Sequence, residues 1–542
     1  MIRRVVLISI DDLRFDALSC ESDTRFLERH GLEAMRHTSH LDRLAESGTR
    51  FQSAIATAPY TPASHASMLT GLYPPAHGLR AFMTNPLAPH VNRLPGVLRA
   101  SGFHTIASLD VAPMFQLLGL TQGFEEVVYL DDARVERLCA GAGSDPLFLF
   151  CHLEDVHPPV RESLHPPTDD YNDDVVEEMR QISMNLGLPW ELGDRPERRQ
   201  VVGMSNRLRR FLERRGTVTS VELPRYLAGV NKFDSGRFSR LWSMIGPYFN
   251  GDDSLVVITA DHGQGTIPAA RMADRSIPQK FDHGEALLEE LLRVPLIVVS
   301  PGIGGAGTVV TTTVSLVDIA PTILDAAGLR PHDMEGRSLV PALRGESIDP
   351  SPAYAEVWYH DRPTLSKYLK DCLSEGRLSP AGYHTFLHER SVREGDLKLV
   401  VRGADSHAAE LKTTPEASIE EMFESCLGRR ATPAEMDVFS RELSDGLRSR
   451  SDLAVGISKL EPREMLFDTS RDPFEEIDLL SQAAALRAQG MDDRVEAVVE
   501  RLTLMLDRFR QAPDAEAGDE AGLTQGEMVE VEKHLRALGY VE

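Results

Sequence analysis

The segment Val5-Val6-Leu7-Ile8-Ser9-Ile10-Asp11-Asp12-Leu13-Arg14 is an apolar run that ends abruptly in two carboxylates. A short run rich in Val and Ile reads as a strand, here over Val5–Ile10. Leu147–Cys151, Leu255–Thr259 and Leu296–Val299 have the same character. Helical patterns lie between them: His40-Leu41-Asp42-Arg43-Leu44-Ala45-Glu46-Ser47 stops at Gly48, and Leu94–Ala100 ends near Gly102. Alternating strands and helices of this kind build βα units around a mostly parallel sheet.

In an open sheet of parallel strands, ligands sit outside the carboxyl ends of the strands. Asp11 and Asp12 follow the first strand, and Thr259-Ala260-Asp261-His262-Gly263 places a carboxylate and an imidazole after another. Oxygen and imidazole donors of this type suit a divalent metal. Each motif alone is ordinary, since an Asp pair after a strand commonly caps a helix or closes a turn. A third feature joins them: Pro59-Tyr60-Thr61-Pro62-Ala63-Ser64-His65-Ala66-Ser67-Met68-Leu69-Thr70-Gly71, followed by Leu72-Tyr73-Pro74 and His77-Gly78.

This third stretch resembles the nucleophile motif of the sulfatase-like branch of the alkaline phosphatase superfamily. There Cys-x-Pro-Ser-Arg precedes a short helical stretch ending in Leu-Thr-Gly. Anchored on Leu69-Thr70-Gly71, Thr61 falls on the cysteine position, Ser64 on the serine and His65 on the arginine. Further matches follow in the family's order. His152-Leu153-Glu154-Asp155-Val156-His157-Pro158-Pro159 resembles HxxDPHxPY. His283-Gly284 with Glu289-Glu290-Leu291-Leu292-Arg293-Val294-Pro295-Leu296 resembles HG…ELLRVPL. Val314–Thr322, Gly336-Arg337-Ser338-Leu339 and Leu535–Tyr540 complete the series.

The resemblance implies an α/β fold: a large, mostly parallel mixed sheet sandwiched by helices, with a smaller C-terminal α+β subdomain. It implies a metal-dependent hydrolase with Thr61 as nucleophile, placed ahead of a helix whose N–H groups would face substrate oxygens. Asp11, Asp12, Asp261 and His262 are the expected metal ligands. His157 and His283 are expected to contact the transferred group or protonate the leaving oxygen. His65 and Lys280 are candidates for substrate binding, His65 also for supporting the nucleophile loop. Arg14 is expected to orient the Asp pair.

One departure is chemical. Family sulfatases convert Cys, or Ser, at the nucleophile position to an aldehyde hydrate; oxidising threonine would give a ketone, and Ala63 replaces the proline of the conversion motif. Threonine nucleophiles belong to phosphodiesterases and phosphoryl transferases of the superfamily. The expectation is therefore hydrolysis of a phosphate ester (phosphodiester, phosphomonoester or phosphonate) through a covalent Thr61 intermediate, the alternatives being a sulfate ester or a phosphoryl transferase. Asp155-Val156-His157 lacks the Asp-x-x-x-His spacing of two-zinc members, which leaves one divalent ion. Manganese or zinc fits the donors best, and calcium is allowed.

Bulk composition limits the partners. The 542 residues carry 83 Asp plus Glu against 58 Lys plus Arg, a formal net charge of −25. So acidic a chain is unsuited to nucleic acid or an anionic membrane; the small anionic ester expected as substrate is what the resemblance implies. A homo-oligomer is allowed. No apolar run approaches the roughly 20 residues that span a bilayer. Val5–Ile10 is too short for a secretion signal, and Cys20, Cys139, Cys151, Cys372 and Cys426 show no metal-site spacing. They read as reduced thiols in a cytoplasmic protein. A catalytic domain is expected over 1–350 with a helical insert near 160–251, either a lid or a solvated surface addition. A subdomain follows over 351–510, then a linker and terminal helix over 511–542.

Overall fold

The computed structural model describes residues 1–80, 86–157, 173–188, 198–268, 278–358, 388–402, 433–444, 464–481 and 494–510, with 190, 419 and 431 besides. Eight strands make the main sheet: β1 (Arg4–Ile10), β2 (Thr49–Phe51), β3 (His104–Leu109), β4 (Glu126–Tyr129), β5 (Leu147–Leu153), β6 (Ser254–Thr259), β7 (Leu296–Val299) and β8 (Thr308–Val310). Their order across the sheet is β8-β2-β7-β6-β1-β5-β3-β4. Every neighbouring pair is parallel except the two that involve β7, so β7 alone runs backwards. The expected α/β class and mostly parallel mixed sheet are what the chain adopts.

The central position of β1 explains its composition. Val5 through Ile10 are wholly buried, with β5 on one side and β6 on the other. Each such Val or Ile side chain contributes about 1.5–3 kcal/mol by leaving water. Because β1, β5 and β6 are adjacent and parallel, their carboxyl ends open at one place.

Helices surround this sheet. α1 (Ser39–Ser47) and α2 (Thr61–Thr70) follow β1, and α3 (Leu94–Ala100) leads into β3. The described part of the 160–251 insert is helical, with α4 (Asp173–Asn185), α5 (Arg198–Arg215), α6 (Val218–Phe233) and α7 (Ser239–Ile245). α6 is not a solvated addition. Leu223, Tyr226, Leu227, Val230 and Phe233 belong to the main core. Asp234, in a π-helical turn over Asp234–Phe238, accepts hydrogen bonds from the N–H groups of His40 and Leu41 at the start of α1.

Beyond residue 350 a second sheet of four antiparallel strands forms, from β9 (Ala353–Trp358), β10 (His388–Glu394), β11 (Leu397–Arg402) and β12 (Glu464–Asp468), in that order. The Ser391–Val401 stretch is a hairpin that turns at Gly395, whose φ of 59° suits glycine. α8 (Arg494–Arg510) lays Leu502 and Leu506 on this sheet beside Tyr73, Val317 and Tyr354. The sheet also grips the larger unit: Lys398 Nζ donates to the Leu287 carbonyl, and Leu287 N–H donates to Glu389. The expected linker and terminal helix over 511–542 lie outside the described residues. Among the described residues no helix is long and apolar enough to cross a membrane.

Candidate active site

Asp11 follows β1 directly, His152 lies at the end of β5, and Asp261 sits two residues beyond β6. All three are fully buried. In an extended chain Asp11 and Asp12 would point to opposite faces. Asp12 instead adopts a left-handed conformation, φ 62°, which bends the chain so that both carboxylates reach one cluster. Aspartate tolerates this region better than most residues, and the surroundings hold it there. Tyr226 of α6 donates its hydroxyl hydrogen to the Asp12 carbonyl at 2.8 Å and accepts from Arg14 N–H at 2.8 Å. Asp261 Oδ1 accepts from the N–H groups of Asp12 (3.3 Å) and His262 (2.9 Å).

Thr61 opens α2, with Pro62 behind it where a helix needs no N–H donor. Its Oγ1 is 3.4 Å from Asp11 Oδ1 and 3.4 Å from His262 Nε2. α2 is buried on every side, which its run of Ala and Ser makes sterically feasible. Its polar side chains are used as ties. Ser64 Oγ donates to the Asp261 carbonyl at 2.6 Å. His65 Nδ1 meets the Thr61 carbonyl at 2.8 Å, so this nitrogen carries the hydrogen, and Nε2 accepts from Ser9 Oγ at 2.9 Å. With both ring nitrogens engaged, His65 has none left for a substrate oxygen, and its position supports the Thr61 loop. Burial also holds its pKa well below the usual range, so it offers no positive charge in place of an arginine.

The cluster has the chemistry of a cation site. Donor atoms of Asp11, Asp261 and His262 lie within 4.8 Å of one another, as do those of Asp11, Asp12 and His157, and those of Asp12, His262 and His283. Among the described residues, no hydrogen bond reaches Asp11 Oδ2, Asp12 Oδ2 or Asp261 Oδ2, although all three are buried. Buried carboxylate oxygens without donors are costly unless a cation faces them. Burial and the nearby Asp11 push the Asp261 carboxyl up to about 7. His262 is raised to about 10: burial opposes this, but Asp261 and Asp12 outweigh it. Three carboxylate oxygens, an imidazole and an adjacent hydroxyl are donors that suit a divalent cation.

Two histidines close the outer side. His157 Nε2 is 3.4 Å from Asp12 Oδ2, and its ring centre is 4.9 Å from that of His283. Gln264 donates from Nε2 to the Phe281 carbonyl, which turns its Oε1 toward His283 Nδ1 at 3.0 Å. His283 Nδ1 therefore carries the hydrogen and Nε2 is the acceptor nitrogen. Burial lowers this imidazole to about 4. Lys280 Nζ pairs with Glu285 Oε1 at 2.6 Å.

Arg14 departs from the sequence reading. Its guanidinium forks onto Asp16 and reaches Glu290 and the Gln264 carbonyl, so it orients those groups and not the Asp pair. Several site residues carried no local signal. Tyr226 and Gln264 are unremarkable in sequence, and Arg237 of the π-helical turn binds Asp110 and Asp155, which steadies the loop ahead of His157. His152 lay inside a recognised motif, yet nothing in its spacing told of a role.

A family model described as sulfatase matches residues 3–329. Arylsulfatase K of Danio rerio is 34% identical over 111 residues, 20% of this chain and 19% of that protein. N-acetylglucosamine-6-O-sulfatase of Bacteroides thetaiotaomicron is 32% identical over 142 residues, 25% of this chain and 22% of that protein. The aligned segments thus span about a fifth of the length of these curated relatives. Among solved structures, a protein in complex with its substrate D-glucosamine-2-N,6-O-disulfate superposes with TM-score 0.56 at 17% identity, over 96% of this chain and 100% of that one. The phosphonate monoester hydrolase of Agrobacterium radiobacter gives TM-score 0.56 at 18% identity, over 93% and 96%. At these identities the likeness is one of fold.

Proposed function

This chain belongs to the sulfatase family, and from that membership we propose that it is a metal-dependent hydrolase of a small anionic ester, with Thr61 as the attacking group. The observation that carries the reading is the convergence of Thr61 Oγ1 on Asp11 Oδ1 and His262 Nε2, each at 3.4 Å, at the start of α2. Asp11, Asp261 and His262 would hold the cation, with Asp12 beside them. When bound, the cation lowers the pKa of the hydroxyl and draws charge from the ester oxygens. Asp12 Oδ1, 2.8 Å from His262 Nδ1, fixes that ring so that Nε2 faces Thr61.

Thr61 Oγ, its proton lost to solvent, attacks sulfur or phosphorus, and the ester oxygen leaves with a proton from His157. Water then attacks the Thr61 ester and returns a proton to His157, while the Thr61 oxygen leaves and regains its proton from solvent. A sulfate ester is the leading substrate class, because the named curated relatives are sulfatases. The phosphoryl reading expected from sequence stands second, favoured by Thr61 itself, which cannot become the aldehyde hydrate that lets sulfate leave without a second attack. The reading extends to a catalytic unit over 1–350, a subdomain over 351–510 and a cytoplasmic location, which the free thiols of Cys20, Cys139 and Cys151 support.

The test is a screen of purified enzyme, metal by metal, against matched aryl sulfates, phosphomonoesters, phosphodiesters and phosphonates. Hydrolysis of at least one class is expected, with the transferred group trapped on Thr61 by rapid quenching. Thr61→Ala should lower kcat by at least about 1,000-fold, and Thr61→Ser should recover a measurable part of it. Unchanged kcat in Thr61→Ala would remove the nucleophile.

A further inference from the structure

His152 is the one fully buried imidazole among the described residues with neither ring nitrogen hydrogen-bonded. It pairs in register with Ser9 of β1 on one side and Leu109 of β3 on the other. Neighbouring residues of parallel strands share a face, and Asp11 follows Ser9 by two positions on that face. The ring edge meets His65 (4.9 Å between centres, 76°) and Phe115 (5.1 Å, 50°), which bar it from turning away. What remains open to it is the cluster of carboxylates. His152 Nε2 is 3.5 Å from Asp11 Oδ2, and its donor atom lies within 4.8 Å of those of Asp261 and His65.

The oxygens it faces lack donors as well. Asp11 turns Oδ1 to Thr61 and His262, and Asp261 spends Oδ1 on two backbone N–H groups. Their second oxygens accept no hydrogen bond among the described residues. An imidazole without an acceptor thus adjoins two buried oxygens without donors, and buried polar groups left unmatched in this way destabilise the fold. A slight closure of the 3.5 Å gap makes an N–H···O bond from His152 Nε2 to Asp11 Oδ2.

We infer that His152 is a positioning residue for the metal site, holding the outer oxygen of Asp11 beside Asp261 so that Asp11 Oδ1 stays aimed at the cation and Thr61. The inference rests on the cation site proposed above. His152 does not touch Thr61; it acts through Asp11.

The test is calorimetric titration of the metal-free protein with Mn2+, comparing the parent with His152→Ala, His152→Gln and Asp261→Asn, with unfolding of each metal-free protein as the control for folding. His152→Ala should weaken Mn2+ binding by about 10–100-fold while the metal-free protein stays folded, the usual effect of removing a partner of a ligand. His152→Gln, whose amide N–H can reach the same oxygen, should restore most of that affinity. The fraction of bound Mn2+ seen by electron paramagnetic resonance gives a second reading free of turnover. A folded His152→Ala protein that binds Mn2+ like the parent, with Asp261→Asn binding poorly, overturns the role of His152 and leaves the cation site standing. Parental affinity in Asp261→Asn as well overturns the cation site itself. If His152→Ala does not fold, His152→Gln decides: near-parental affinity supports the role, and a loss equal to that of Asp261→Asn overturns it.

Discussion

At the scale of single residues, the site depends on atoms that never meet a substrate. Asp12 brings its carboxylate into the cluster only because its backbone stays at positive φ, a conformation that costs a non-glycine residue of order 1–3 kcal/mol unless its surroundings impose it. The Tyr226 hydroxyl is the clearest of those surroundings, since it bridges the Asp12 carbonyl and the Arg14 N–H from the opposite wall. Tyr226→Phe keeps the ring packed in the core and removes only that bridge. Two buried backbone groups then lose a partner, and equilibrium unfolding in denaturant should show a loss of about 1–3 kcal/mol. Unfolding indistinguishable from the parent would mean that the turn holds itself.

At the scale of elements, each piece of the site is set by its neighbours. Helix α2, which Thr61 opens, packs against a short turn over Leu316–Asp318, and Asp318 accepts hydrogen bonds from the backbone N–H groups of Ser315 and Arg337, each at 2.9 Å. Burial nevertheless holds the Asp318 carboxyl at about 6, above the ordinary 3.8. The folded state therefore keeps this proton more tightly than the unfolded chain. The group costs nothing below about pH 3.8, and the cost grows as the pH rises through about 6. At 1.36 kcal/mol per pH unit that gap comes to about 3 kcal/mol. Asp318→Asn is neutral throughout. The difference in unfolding free energy between variant and parent should shift by about that amount in the variant's favour from about pH 3 to about pH 8. A difference that stays flat with pH would show that the proton is not held in the fold.

At the scale of the whole molecule, two neighbouring parallel strands, β1 and β6, deliver three carboxylates and a histidine to one buried point, and α2 brings the Thr61 hydroxyl beside them. Like charges so placed repel, and a cation that binds only the folded state stabilises it by mass action. Chelation should abolish turnover and lower Tm, and manganese or zinc should restore both. At a metal concentration 100 times Kd the shift amounts to about 2.7 kcal/mol. Full activity with unchanged Tm in chelated protein would be inconsistent with a cation in this cluster.

How much of this was legible in the sequence follows from the range of each interaction. Strands β1, β5, β6 and β7 were legible because apolar runs and the residues that end them are local signals. The positions of Asp11, Asp261 and His262 at strand ends, and of Thr61 before a helix, came from the same local grammar. The α/β class and the family resemblance followed from several such motifs in order. The tertiary structure alone decided which side chains face one another. His65 reads as a substitute for a substrate-binding arginine, yet Ser9, from 56 residues earlier, takes its second nitrogen. Arg14 sits next to the Asp pair in the chain, but Asp16 and the distant Glu290 claim its charge. Tyr226 lies 214 residues from the carbonyl it binds. No periodicity or spacing encodes such pairings, because they arise only when a buried polar group must find a partner within the packed core.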